Sequence, residues 1–257
     1  MQALNNSVIL KMNMLKNILG RIFAFWTILV FIILLIIFYI PLWLTKFFPE
    51  PKNEESFYGV VRVWLGLFFI LSGIRRVIKG KENFKQGENY VIVCNHNSYM
   101  DPPLSSSVIP GIFKTISKSE MAKIPVFGMV YKRGSVLVDR KNDKSRKDSY
   151  IKMKSVLIKG MHMCIYPEGT RNRSSEPLQR FQDGAFKLAM DSGKSILPAV
   201  IFHTKTVLPA EKKYYFWPHR VEMHFLPPVP ITADSTVEIL KEIVSTQMSE
   251  YYVTHNH

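Results

Sequence analysis

The sequence predicts an α/β fold, with a mixed or mostly parallel sheet flanked by helices, behind an N-terminal hydrophobic two-helix membrane segment. Two observations carry this. From residue 89 onward, short β-branched runs alternate with helix-length segments, the pattern of strands joined by crossover helices. Before residue 80 lie two long apolar runs. A length of 257 residues suffices for one such domain with an extension. Residues 1–80 are therefore expected to anchor the chain in a membrane, and residues 81–257 to form a cytoplasmic domain.

The first run, residues 22–44, holds no charge and one proline. As a helix it measures about 35 Å, enough to cross a bilayer. It exceeds the apolar region of a signal peptide, and "TKFFPEPK" after it offers no small-residue cleavage site, which favours a retained segment. The second run, residues 57–74, is interrupted by Arg62 and suits either a short return span or an interfacial helix. Lys11, Lys16 and Arg21 precede the first run, and Arg75, Arg76, Lys79 and Lys81 follow the second. Basic flanks stay on the cytoplasmic side, so a hairpin and a monotopic pair both leave the rest of the chain there.

Strands are expected at 90–94, 113–117, 135–139, 163–166, 196–202 and 221–225. Helices are expected at about 122–132, about 142–159 and 181–191, the last closed by Gly193. A final helix begins at "STVE", with Ser235 as N-cap and Glu238 three residues on. It carries Val237, Leu240, Val244, Met248 and Tyr251 at helical spacing.

The net charge of +14 fits two partners, nucleic acid and an anionic membrane surface. The anchor favours the membrane, and no aromatic RNA-binding signature is present. Residues 140–159 hold much of this charge, either as a contact surface or as a solvated helix face. Cys94 and Cys164 fall in apolar strands and are expected to be buried and unpaired.

Several strand ends carry polar residues. The first leads into "NHNSYMD" (95–101), the third into Asp139 and Arg140, the fourth into "YPEGTRNRS" (166–174). Parallel strands bring such ends into one crevice. There His96 can take a proton from a hydroxyl while Asp101 holds its other ring nitrogen. Arg140, Arg171 and Arg173 can fork onto a phosphate, and Gly169 lets the backbone come close to it. Ser98 beside His96 leaves a Ser–His pair open, although no G-x-S-x-G elbow is present. A metal site is not expected, because His162 and Cys164 have no second ligand pair nearby. The other histidines (203, 219, 224, 255 and 257) are expected in packing, surface or tail positions.

Over roughly residues 75–230 the chain resembles the 1-acyl-glycerol-3-phosphate acyltransferases, within the broader glycerolipid acyltransferase superfamily. "NHNSYMD", "GSVLVDR" (134–140), "YPEGTRNRS" and "ILPAVI" (196–201) match that family's four blocks in order, with Tyr166 where Phe is usual. "FQDGAFKLA" (181–189) matches the segment between the last two. The resemblance implies acyl transfer from acyl-CoA or acyl carrier protein to the free hydroxyl of lysophosphatidic acid. It implies no covalent acyl-enzyme and no cofactor. It makes His96 the base and Asp101 its orienting partner. Glu168, Gly169, Thr170 and Arg171 then bind the acceptor phosphate with help from Arg140, and Pro198 lines the acyl or thioester pocket. A different lysolipid acceptor, or a non-catalytic anionic-lipid binder of the same fold, are the alternatives.

Overall fold

The structure is a computed structural model that describes residues 2–174 and 176–256, with side chains from Met12 onward. The Lys11 side chain and His257 lie outside the described residues. In chain order the elements are α1 (Gln2–Leu44), α2 (Lys52–Leu71), β1 (Arg76–Lys79), β2 (Val91–Cys94), α3 (Asp101–Val108), β3 (Phe113–Lys118), α4 (Phe127–Gly134), β4 (Ser135–Val138), α5 (Asp143–Ile158), β5 (His162–Ile165), α6 (Gly184–Ser192), β6 (Ile196–Phe202), α7 (Thr204–Val207), β7 (Val221–Phe225) and α8 (Val237–His255).

The strands form one seven-stranded sheet in the order β1-β7-β6-β2-β5-β3-β4. Every pairing is parallel except β6 with β7. The expected α/β architecture is therefore present. Strand β2 sits at its centre, between β5 and β6, with both faces covered, which is why "VIVC" is apolar without alternation. Ile92 and Cys94 enter a core shared with α1, α2 and α3, whereas Val91 and Val93 enter one shared with α5, α6 and α8.

Three elements escaped the sequence reading. One is α7, a single four-residue turn. Strand β1 is "RVIK", an edge strand whose charged ends dilute its apolar signal. Helix α3 is "DPPLSSSV", where paired prolines read as breakers but occupy the first turn, where no N–H is needed. Other differences are local. Helix α4 starts at Phe127, because a 3-10 turn at Ser119–Lys123 and Pro125 precede it. The cap of α8 is Thr236, whose Oγ1 accepts from Ile239 N at 3.2 Å, while Ser235 Oγ accepts from Thr232 N. Gly193 closes α6 in the left-handed region, as expected.

Among the described residues one helix, α1 with the turn after it, is long and apolar enough to cross a membrane, over Met12–Phe47. Helix α2 buries one apolar side and exposes another. Phe57, Tyr58, Val61, Trp64, Leu65, Phe68 and Phe69 are buried, while Val63, Leu67 and Ile70 face out. The interrupting Arg62 donates to the carbonyls of Ile109 and Gly111, just past the C-terminus of α3, where a cation is favoured. The expected boundary at residue 80 does not separate two cores. Strand β1 lies before it, and α1 and α2 share a core with Ile92, Leu197 and Met223.

Helix α1 lies along the sheet domain rather than projecting from it. Near one end of its apolar run, Gly20 O accepts from Phe216 N at 2.9 Å. Near the other, Arg133 Nη1 donates to Leu42 O at 3.2 Å. Contacts about 33 Å apart along the axis, both to one domain, fit a helix lying in the membrane interface better than one running away through the bilayer. A cysteine placed at the exposed Glu55, in the first turn of α2, is therefore expected to react with an impermeant thiol reagent only from the side that exposes the sheet domain. The native Cys94 and Cys164 are fully buried and should contribute little background. Labelling of Glu55→Cys solely from the opposite side would establish a spanning hairpin instead.

Candidate active site

As the chain leaves β2, Asn95 replaces the next ladder contact with its side chain. Its Nδ2 donates to Ile201 O at 3.0 Å and its Oδ1 accepts from Ile201 N at 2.7 Å. Asn97 Nδ2 donates to the same carbonyl at 3.3 Å. The two asparagines bracket His96 and pin its loop to β6. Asp101 opens α3 and is fully buried. Its Oδ2 accepts from Asn97 N at 2.6 Å and Ser98 N at 2.7 Å, and lies 2.8 Å from His96 Nδ1. An oxygen held by two backbone donors acts as acceptor toward the ring, so Nδ1 carries the proton and Nε2 keeps its lone pair. The His96 ring lies 4.5 Å from that of Tyr166, whose hydroxyl is 3.0 Å from Ser105 Oγ. Ser98 is no nucleophile: it is buried, and its Oγ donates to Leu208 O at 2.8 Å.

The 166–174 loop holds the main chain of His96 from the other side. Glu168 Oε1 accepts from His96 N at 2.8 Å, and its Oε2 accepts from Gln179 N at 3.2 Å. Asn172 N donates to His96 O at 2.6 Å. Gly169 turns this loop at φ +72°, a conformation that favours glycine. Burial raises the Glu168 carboxyl to about 7, and the two amides pull only partly in the other direction.

A cavity of about 1130 Å³ opens beside His96. Arg140, Arg171, Arg173 and Lys118 line its polar end. Arg140 Nη1 donates to Gly169 O at 2.5 Å, and Thr170 Oγ1 donates to Gln179 Oε1 at 3.3 Å. The Arg171 guanidinium lies 3.6 Å from the centre of the exposed Tyr99 ring, which leaves its N–H groups available. The other end is apolar, walled by Ile28 and Phe31 of α1, Trp64 and Phe68 of α2, and Phe127 and Val130 of α4.

The structure thus brings His96, Asp101, Arg140, Gly169, Thr170 and Arg171 together, while Glu168 and Pro198 do not line the cavity. Glu168 turns both oxygens onto backbone amides and so ties the loop to His96 and Gln179. Pro198 is buried within β6, opposite Val93. Its missing N–H falls where the β7 ladder gives way to Pro227 and Pro228, a tolerated place for proline. Sequence reasoning missed Lys118; the signal was there, since it is the last residue of a parallel strand ending at the same sheet edge. It also missed Tyr99 and the two asparagines.

Among the described residues no group of three or more His, Cys, Asp or Glu is placed to hold a metal. Cys94 and Cys164 are free, their Sγ atoms 3.8 Å apart. Burial lowers His162 to about 4, and its Nδ1 accepts from Tyr90 N at 3.0 Å, a packing role.

Residues 75–202 match the Acyltransferase family model. The 1-acyl-sn-glycerol-3-phosphate acyltransferase of Borreliella burgdorferi is 30% identical over 146 residues, 56% of this chain and 58% of that protein. The human 1-acyl-sn-glycerol-3-phosphate acyltransferase alpha is 29% identical over 181 residues, 70% of this chain and 63% of that protein. In both cases the match spans less than two thirds of the relative. The crystal structure of the 1-acyl-sn-glycerophosphate (LPA) acyltransferase PlsC from Thermotoga maritima superposes with a TM-score of 0.78. It covers 93% of this chain and 96% of that one at 22% identity, a likeness of fold.

The Glu168 contacts generate a pH-dependent expectation. A carboxyl raised from 4.5 to about 7 in the fold adds stability that is fully present below about 4.5 and is lost as pH rises through about 7. Glu168→Gln stays neutral and lacks this dependence. Unfolding in detergent from pH 5 to 8 should show wild type losing up to about 3 kcal/mol relative to the variant. Parallel stability curves would refute the raised carboxyl.

Proposed function

On the premise that residues 75–202 match the Acyltransferase family model, we propose that the chain transfers a fatty acyl group to the free hydroxyl of 1-acyl-glycerol-3-phosphate, making phosphatidic acid. The observation that carries this reading is the cavity. It joins an unprotonated histidine nitrogen, a cluster of four cationic side chains and an apolar compartment in one space. An acceptor with a hydroxyl, a phosphate and acyl chains needs all three.

In this reaction His96 Nε2 takes the acceptor hydroxyl proton as the oxygen adds to the thioester carbonyl carbon. Asp101 holds the imidazolium that results. Collapse of the tetrahedral intermediate breaks the C–S bond, and the departing thiolate takes the proton back from His96. No acyl-enzyme intervenes, in keeping with the engaged Ser98 hydroxyl. Arg171, Arg173, Arg140 and Lys118 grip the phosphate and so orient the hydroxyl toward Nε2. The donor is acyl-CoA or an acyl carrier protein, and the reaction uses no cofactor. The exposed apolar side chains of α1, such as Phe25, Ile36 and Ile40, sit in the membrane, and the domain works at its cytoplasmic face. Acyl chains then enter the cavity past α1 and α2 without crossing water.

The direct test is transfer by purified protein in mixed micelles, with a panel of lysolipids and both donor types. Preference for a lysolipid without a phosphomonoester would replace the proposed acceptor. His96→Ala should lower turnover by about 10²–10⁴-fold with the fold intact, because general-base catalysis is typically worth that much. Near-normal turnover would end the base assignment. Arg171→Lys keeps the charge but loses the fork, so the acceptor KM should rise about 10- to 150-fold, the equivalent of roughly 1.5–3 kcal/mol, with the donor KM little changed. A defect confined to the donor would move Arg171 to the thioester side.

A further inference from the structure

Residues 140–159 carry eight Lys or Arg against two Asp, a net +6 of the chain's +14. The anionic membrane surface, the partner expected from sequence, is not where this charge faces. Helix α5 packs through Met153, Val156 and Leu157 onto the sheet face of Val91 and Val93, while α1 and α2 cover the opposite face. A bilayer that receives α1 therefore lies across the sheet from α5.

The outward side of α5 has a defined pattern. Lys144, Lys147, Ile151 and Ile158 are exposed along one helical stripe, with the half-buried Lys154 at its edge, opposite the buried Ser149, Met153 and Val156. Ile151 is 67% exposed and Ile158 74% exposed, unusual for isoleucines on a lysine-rich helix. The acidic residues are at the margins. Asp143 pairs with Arg146, and Asp148 sits on the shoulder beside Lys144 and Lys152. The N-terminal end of the stripe adjoins the catalytic cavity, since Asn142 caps α5 two residues after the cavity-lining Arg140.

We propose that the outward face of α5 docks an acidic acyl carrier protein, which delivers the thioester to the cavity. This rests on the acyl-transfer reading and names the donor partner of that site. Cations around two apolar anchors complement an acidic helix that itself carries an apolar ridge. The surface is convex and more than 20 Å long by helix rise, so it suits a protein rather than the nucleotide of CoA, which needs a concave site. A second copy of this chain would bring two equally basic faces together. The path is short: Ile151 is nine residues beyond Asn142, about 13 Å along the axis, within reach of a flexible phosphopantetheine arm.

The test compares donors carrying the same acyl chain, one on CoA and one on an acidic acyl carrier protein, with full-length protein in micelles and lysophosphatidic acid as acceptor. The Lys147→Glu, Lys154→Glu double variant should lose about tenfold or more in kcat/KM with the carrier-protein donor, chiefly through its KM, and stay within about twofold with acyl-CoA. Ile151→Ser should show the same selectivity without a change of charge. In wild type, added salt should weaken the carrier-protein reaction more than the CoA reaction. Unchanged use of the carrier protein by both variants, an equal loss with both donors, or transfer from acyl-CoA alone would overturn the proposal. Absence of transfer from either donor by wild type would instead defeat the underlying acyl-transfer reading.

Discussion

One carboxylate oxygen, Asp101 Oδ2, organises the site. It receives Asn97 N and Ser98 N from the loop behind it and the ring of His96 from the side. Two backbone donors fix the oxygen, and the oxygen then fixes the ring, so the tautomer follows from the loop's conformation. That conformation is set in turn by β6, through Asn95 and Asn97, and by the 166–174 loop, through Glu168 and Asn172. Both main-chain polar groups of His96 are thus held by a segment more than 70 residues away. Preorganisation of this kind avoids reorganisation during proton transfer.

The same loop links the His96 main chain to the cavity cations. Its glutamate faces inward onto the amides of His96 and Gln179, while Arg171 and Arg173 line the cavity. A change that moves these cavity cations therefore also moves the backbone under His96. At the cavity's far end, α1 and α2 form the wall, and both ends of the apolar run of α1 are tied to the sheet domain. The two helices wall the cavity with one set of side chains, Ile28, Phe31, Trp64 and Phe68, and expose another, including Phe25, Ile36 and Ile70.

Much of this was legible in sequence. The central strands announced themselves by β-branched apolar runs, and the residues at their ends by chemistry that needs specific side chains: imidazole, carboxylate, guanidinium. What stayed hidden depends on contacts distant along the chain. The direction of Glu168 follows from amides at positions 96 and 179, which its place in a phosphate-like motif did not reveal. Pro198 looked like a pocket residue because nothing local shows that a ladder ends beside it. Helix α3 was masked by its own starting prolines, and β1 by the charges that protect an edge. The basic run at 140–159 was visible, but its direction, away from α1, required the sheet.

The central claim is that Asp101 holds His96 with a protonated Nδ1 and a free Nε2 at the cavity. Nitrogen-15 NMR of histidine-labelled protein in detergent, with His96 assigned through His96→Gln, reads this directly. The account predicts the Nδ1–H tautomer for the neutral ring in wild type and its loss in Asp101→Asn, where the side-chain amide no longer enforces an accepting partner. A neutral His96 that carries its proton on Nε2 in wild type would contradict the account, because that ring has no lone pair to offer a hydroxyl in the cavity.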